Sequence, residues 1–117
     1  MPDPYEVTLR RLMTGDQRLL SEHLDLATWS EPGCAMDAKA CALQRLAALI
    51  GIGASIPSYT AAVADTILTG AVPEEVVAVL LAVVPVVGVA RVVAAAPSIG
   101  LALGYDVDAA LETLDET

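Results

Sequence analysis

The side chains that could do chemistry are few and scattered along the chain. Cys34 and Cys41 lie seven residues apart, which is neither a redox Cys-x-x-Cys pair nor a usual zinc spacing. Both therefore read as ordinary thiols that pack like small apolar side chains. His23, the single histidine, stands beside Glu22 and near Asp25 on a polar stretch. It reads as a surface residue, because a catalytic histidine needs a partner to set its proton. Ser55, Ser58 and Tyr59 form a polar cluster inside an apolar region. Their hydroxyls could orient an uncharged or apolar ligand, and either serine could instead cap a helix. Arg91 interrupts a long apolar run and suits an ion pair with Asp65, Glu74 or Glu75 across a subunit interface, or an anionic ligand. Trp29 suits packing over a subunit seam, since tryptophan is enriched in binding hot spots. The sequence carries no Gly-rich phosphate loop, no His-based zinc site and no Ser-His-Asp arrangement. No metal and no cofactor is expected.

Composition bounds what can hold these residues. A chain of 117 residues makes one domain. Its apolar fraction is 56% with only 3% aromatic and no phenylalanine, so Ala, Val, Leu and Ile must build the core. That fraction exceeds the roughly 45–50% of an average globular protein. An apolar surplus in a short chain is absorbed either by a subunit interface or by a bilayer. The net charge of −9 repels phosphate backbones and anionic membrane surfaces, which argues against nucleic-acid partners. Charge is concentrated at the two ends. From Leu46 to Tyr105 only Asp65, Glu74, Glu75 and Arg91 carry any. The start, Met1-Pro-Asp-Pro-Tyr-Glu, is acidic and lacks the basic and apolar segments of a secretory leader. A cytoplasmic address with reduced thiols is the expectation.

A membrane-spanning reading fits poorly. Residues 46–64 are uncharged but contain Gly51, Gly53, Ser55, Pro57, Ser58 and Thr60, which break helices or favour turns. Residues 76–90 enclose Pro85, and residues 92–105 enclose Pro97. A spanning helix wants about 20 mostly apolar residues, and no basic cluster sets an orientation.

The elements read as all-α. A short helix is expected from Tyr5 to about Met13. Gly15-Asp16 is a turn, with Asp16 capping a helix that carries Leu19, Leu20, Leu24 and Leu26. Ser30-Glu-Pro-Gly33 is a loop. Asp37 suits the N-cap of a helix with Leu43, Leu46, Ala47 and Ile50 at helical spacing, ended by Gly51 and Gly53. Pro57 or Ser58 starts the next helix, which runs through Val63, Ile67 and Leu68 and closes at Gly70. Pro73-Glu-Glu75 opens another, because proline suits the first turn and acids suit the positive end of the helix dipole. From Val76 to about Val84 the sequence is apolar almost all round, which predicts burial on several sides. Pro85 is expected to kink or break this helix. A further helix spans about residues 87–95, Pro97 starts a short one ending at Gly104, and Asp106 caps a last acidic helix through Leu111 and Leu114.

The order of these features resembles the carboxymuconolactone decarboxylase family. Met36-Asp-Ala-Lys39 before an apolar helix resembles that family's Leu-Asp-x-Lys opening. Gly70-Ala-Val-Pro-Glu-Glu75 and the apolar helix after it resemble its Gly-Ala-Thr-x-Glu-Glu-Ile helix start, with Gly88 in the place of a glycine in the following helix. Arg10-Arg-Leu-Met-Thr-Gly-Asp16 and Trp29-Ser-Glu-Pro-Gly33 look like pieces of the longer decarboxylase branch. The resemblance covers roughly residues 5–96. It implies a small helical bundle of the alkylhydroperoxidase D-like type with about six to seven helices, assembling as a homotrimer or homohexamer. Residues 1–33 would be N-terminal helices and a loop, 36–96 the family core and 97–117 a C-terminal helical extension.

What the resemblance implies about chemistry is mostly loss. The peroxidase-like branch uses a Cys-x-x-Cys pair and a downstream histidine. These positions fall on Ser55, Ser58 and Ala62, and the carboxylate of the preceding helix falls near Ala42 or Leu43. A hydroxyl cannot replace a thiolate in redox exchange. The decarboxylase branch's histidines fall on Pro57 and Ala62, an earlier one near Arg18, and its glutamine and tyrosine on Ala82 and Val86. Decarboxylation needs a place for developing negative charge and a proton donor, and neither is apparent. The expectation is a diverged member without the thiol or acid–base chemistry. Such a chain would bind a small apolar molecule in a pocket of Ser55, Ser58, Tyr59 and Arg91, or serve as an oligomeric structural protein. One alternative is an active enzyme on a lactone or aromatic catabolite, using Ser58, Tyr59 or Arg91 in relocated roles. Another is a membrane-associated helical protein.

Overall fold

The computed structural model describes residues 1, 3–24, 36–105, 108 and 112. Among them all regular structure is helical, in six helices: α1 (Pro4–Met13), α2 (Gln17–Glu22), α3 (Ala38–Ile52), α4 (Ile56–Leu68), α5 (Pro73–Val87) and α6 (Val89–Ala102). The expected capping role of Asp106, the Ser30–Gly33 loop, Trp29, Cys34 and Leu26 fall outside the described residues. The chain divides into two compact units, residues 1–37 and 38–117.

The first unit is built by local chemistry. Pro4 opens α1, with Glu6 in its first turn and Arg10 and Arg11 in its last, matching the helix dipole at both ends. Asp16 caps α2 as expected, accepting from the amides of Arg18 at 3.0 Å and Leu19 at 3.2 Å. Arg11 Nε donates to the other carboxylate oxygen of Asp16 at 2.8 Å. The helix predicted to carry Leu24 and Leu26 ends sooner, at Glu22 with His23 as its C-cap, whose Nδ1–H donates to the Leu19 carbonyl at 2.9 Å.

The second unit is a four-helix bundle. In it α3 packs beside α4 and α5, and α6 packs beside the same two, so the helices run α3, α4, α6, α5 around the bundle. Each helix gives the centre a pair of side chains four residues apart: Leu46 and Ile50, Tyr59 and Val63, Val76 and Leu80, Ala95 and Ile99. That spacing puts both members on one helix face, which is why an i, i+4 apolar stripe suffices to place each helix. Thr66 is the one buried polar residue among those described, and its hydroxyl donates to the Ala62 carbonyl at 2.6 Å.

The ends of these helices follow the sequence with three departures. Gly70 closes α4 at φ +97°, and Pro73 opens α5, where the Glu75 carboxylate accepts from the Val72 amide at 3.1 Å. Lys39 reaches Glu75 at 3.2 Å and ties the starts of α3 and α5 together. Gly51 does not end α3 but lies within it, and Gly53 at φ +67° turns the chain. Pro85 does not break α5, which continues to Val87, and Pro97 does not start a helix but lies inside α6. Both prolines sit on exposed arcs. The carbonyls they leave without a helical donor belong to Leu81 and Val93, residues that are themselves exposed within the chain. The chain turns between α5 and α6 at Gly88 alone, with φ +90° and ψ 157°, a combination essentially closed to other residues.

Candidate functional site

The segment where α3 hands over to α4 holds most of the residues singled out by sequence. The Gly53 amide donates to Ile50 at 3.3 Å and the Ala54 amide to Leu49 at 3.1 Å, closing the end of α3. Ser55 is extended and caps α4, its Oγ accepting from the Ser58 amide at 3.4 Å and lying 3.0 Å from Ser58 Oγ. Of the two serines offered as caps, Ser55 takes the role, because α4 begins at Ile56 with Pro57 in its first turn rather than at Ser58.

Tyr59 points inward. It is only 3% exposed, and its hydroxyl donates to the Leu49 carbonyl at 3.2 Å. Ala62 is half-buried against the core, with its carbonyl taken by Thr66. Arg91 is exposed on the flank of α6, and its guanidinium lies against Gly53: a Cβ built there would stand 2.5 Å from Nη1. The cation therefore rests at the carbonyl end of α3, where the helix dipole is negative. Among the described residues neither Arg91 nor Glu74 has an ion-pair partner in the chain, and Glu75 is paired with Lys39 instead.

This arrangement brings Ser55, Ser58 and Tyr59 onto adjacent turns and Arg91 against the loop that leads into them. Each hydroxyl is engaged in ending or starting a helix. The three groups whose proton affinity is shifted stand at helix ends away from this segment: Arg11 in the last turn of α1, Asp16 at the start of α2 and Glu75 at the start of α5. The Asp16 carboxyl is held below its ordinary value by Arg11 and by the amides it caps. Arg11 is raised in turn by its bond to Asp16. Glu75 is lowered first by the Val72 amide and then by Lys39. Among the described residues no cluster of His, Cys, Asp and Glu could hold a metal ion. His23 ends α2, and Cys41 is half-buried in α3.

A second feature has no counterpart in the sequence reading. The expectation that Val76–Val84 is buried on several sides does not hold within the chain. Beyond Glu74, the exposed arc of α5 is Val77, Ala78, Leu81, Ala82, Pro85 and Val86. The exposed arc of α6 is Val89, Ala90, Val93, Ala94, Pro97 and Leu101. Leu81 is 70% exposed and Val86 84%. Two positions assigned to the polar residues of the resembling family, Ala82 and Val86, lie on this outer arc, whereas Ala42 is buried. No described helix is long and apolar enough to cross a membrane. Single exposed apolar residues are ordinary; here the exposed side chains of α5 and α6 are all apolar apart from Glu74 and Arg91. Compared with family models, with curated proteins and with solved structures, the sequence gives no match.

Proposed function

We propose that this chain is a diverged subunit of the carboxymuconolactone decarboxylase type that works as a homo-oligomeric structural protein, without thiol-peroxidase or decarboxylase chemistry. The observation that carries the reading is the pair of apolar arcs on α5 and α6. Six of their larger side chains, Val77, Leu81, Val86, Val89, Val93 and Leu101, are between 46% and 84% exposed. Burying six such side chains on both protomers is worth on the order of 10–20 kcal/mol, set against an association cost of roughly 4–15 kcal/mol. A chain that left this surface bare would forgo a gain comparable to its whole folding stability, typically about 5–15 kcal/mol.

The absence of chemistry has its own support. Hydroxyls at positions 55 and 58 bond each other and cap α4, and the Tyr59 hydroxyl is turned to a backbone carbonyl. A general base or nucleophile needs a partner that activates it, and the hydrogen bonds these hydroxyls make are to backbone and to one another. Light scattering of the purified protein in detergent-free buffer tests the reading. A discrete oligomer is the expected result, and a stable monomer at high protein concentration refutes it.

A further inference from the structure

The two apolar arcs do not only ask for cover; their charges suggest what covers them. Residues 76–104 contain a single charged side chain, Arg91, which stands on the flank of α6 and leans away toward Gly53. The other charged residue bordering the face is Glu74, exposed at the start of α5. A surface of this kind repels neither itself nor an acidic partner. On a chain of net charge −9, it is the place where two copies can meet without bringing carboxylates together. Its extent is adequate as well. The six larger side chains with Ala78, Ala82, Pro85, Ala90, Ala94 and Pro97 offer on the order of 700 Å² per protomer, close to the roughly 800 Å² per partner of a stable interface.

We infer that the α5–α6 face is an isologous interface, in which α5 of one copy lies antiparallel to α5 of a second copy about a two-fold axis near Leu81. The proposal rests on the homo-oligomer reading and specifies its contact. Leu81 stands midway between Glu74 and Gly88 along the helix. At 1.5 Å per residue, a two-fold axis there sets each Glu74 about 10 Å to one side of centre, opposite the partner's Gly88 end. Arg91 lies one turn beyond Gly88 on α6. The packing thus brings Glu74 of one copy toward the Arg91 flank of the other, twice, and an Arg91 side chain that swings off Gly53 can make there the ion pair that neither residue makes within the described chain. The row Val77, Leu81, Pro85 and the row Ala78, Ala82, Val86 form neighbouring i±4 ridges, the first of larger side chains and the second lower because of its two alanines, a surface suited to ridges-into-grooves packing. A two-fold contact builds even-numbered assemblies, so a bare trimer is incompatible with it.

Sedimentation equilibrium over a wide range of protein concentration tests this, with circular dichroism confirming that each variant is folded. Leu81→Asp is expected to raise the dissociation constant of this contact at least 100-fold, and Leu68→Asp, on the exposed side of α4, to leave it within a few-fold. Because a carboxylate at position 81 could also disturb α5, a charge exchange gives an independent readout. Glu74→Arg and Arg91→Glu should each weaken assembly about ten-fold, and the double exchange should restore it. A wild-type oligomer unmoved by Leu81→Asp, or charge variants without rescue, overturns the interface and leaves the oligomer reading standing. A monomeric wild type overturns both.

Discussion

Replacing Tyr59 with phenylalanine removes one hydroxyl from the core and leaves the ring in place. The hydroxyl donates to the Leu49 carbonyl at 3.2 Å, and that carbonyl also accepts the Ala54 amide at 3.1 Å. Deleting the hydroxyl therefore leaves no buried acceptor without a partner, so the large penalty for an unsatisfied group does not arise. Only the net value of one hydrogen bond is lost, about 0.5–1.5 kcal/mol. Tyr59→Ala is a different matter. The ring is 3% exposed and packs in the central cluster, so its removal costs the transfer energy and a cavity, roughly 3–5 kcal/mol as for other large aromatics. For a domain of this size each kcal/mol moves the midpoint temperature by about 4–8 °C. Phenylalanine should thus lower it by several degrees and alanine by some 12 °C or more. Urea unfolding at fixed protein concentration gives the free energies directly, with an unchanged slope confirming that the same surface is exposed. A Tyr59→Phe loss equal to that of Tyr59→Ala would show the hydroxyl, not the ring, to be what holds the position, and the argument from packing would fail.

Four further outcomes follow from the helix ends and from the proline inside α5. Asp16 has a depressed pKa, so its contribution is present above the unfolded value of about 3.9 and lost as pH falls through the lower folded value. The amide shifts of Arg18 and Leu19 should move together below about pH 4, and in Asp16→Asn they should be flat there; movement centred near pH 6 would exclude Asp16 as the cause. Gly88→Ala should cost about 1–3 kcal/mol from backbone strain alone, since an added Cβ meets nothing within 4 Å. Gly53→Ala should lose about 1–2 kcal/mol whether or not Arg91 is also alanine, because the long side chain can swing aside and only the positive φ resists; relief in the Arg91→Ala background would show the contact to be rigid. Pro85→Ala should raise the midpoint temperature in urea or heat, as the restored amide can bond the Leu81 carbonyl and proline is about 3 kcal/mol worse than alanine in a helix interior, less 0.4–1 kcal/mol of chain entropy. A fall would mean that the ring itself packs.

Much of the bundle is legible because each helix announces its buried stripe or its ends. Leu43, Leu46 and Ile50 fall at helical spacing with Lys39, Gln44 and Arg45 off that stripe, Asp16 and Pro73-Glu-Glu75 stand where helix starts want them, and Gly70 stands where a helix must turn left-handed. The prolines mislead for a physical reason. A proline costs a helix one bond and a steric clash wherever it occurs, but whether the helix can bear that depends on which side the freed carbonyl faces, and sequence does not say. The serines mislead less: Ser55 and Ser58 are both good caps by type, and only the backbone at Ser55 decides between them.

The candidate surface is illegible for a reason that is also its content. A helix with one polar face declares which way is out. From Val76 to Val87 there is no polar side chain at all, so nothing in the pattern separates the side occupied by Val76 and Leu80 from the side occupied by Val77 and Leu81. Read alone, such a run predicts burial all round; within one chain only half of it is buried. The two statements are reconciled when the second half of the burial is supplied by another copy. On the homo-oligomer reading, the outer arc of α5 and α6 is apolar for the same reason as the core, because both are covered, and the fifteen acidic residues of the chain lie elsewhere.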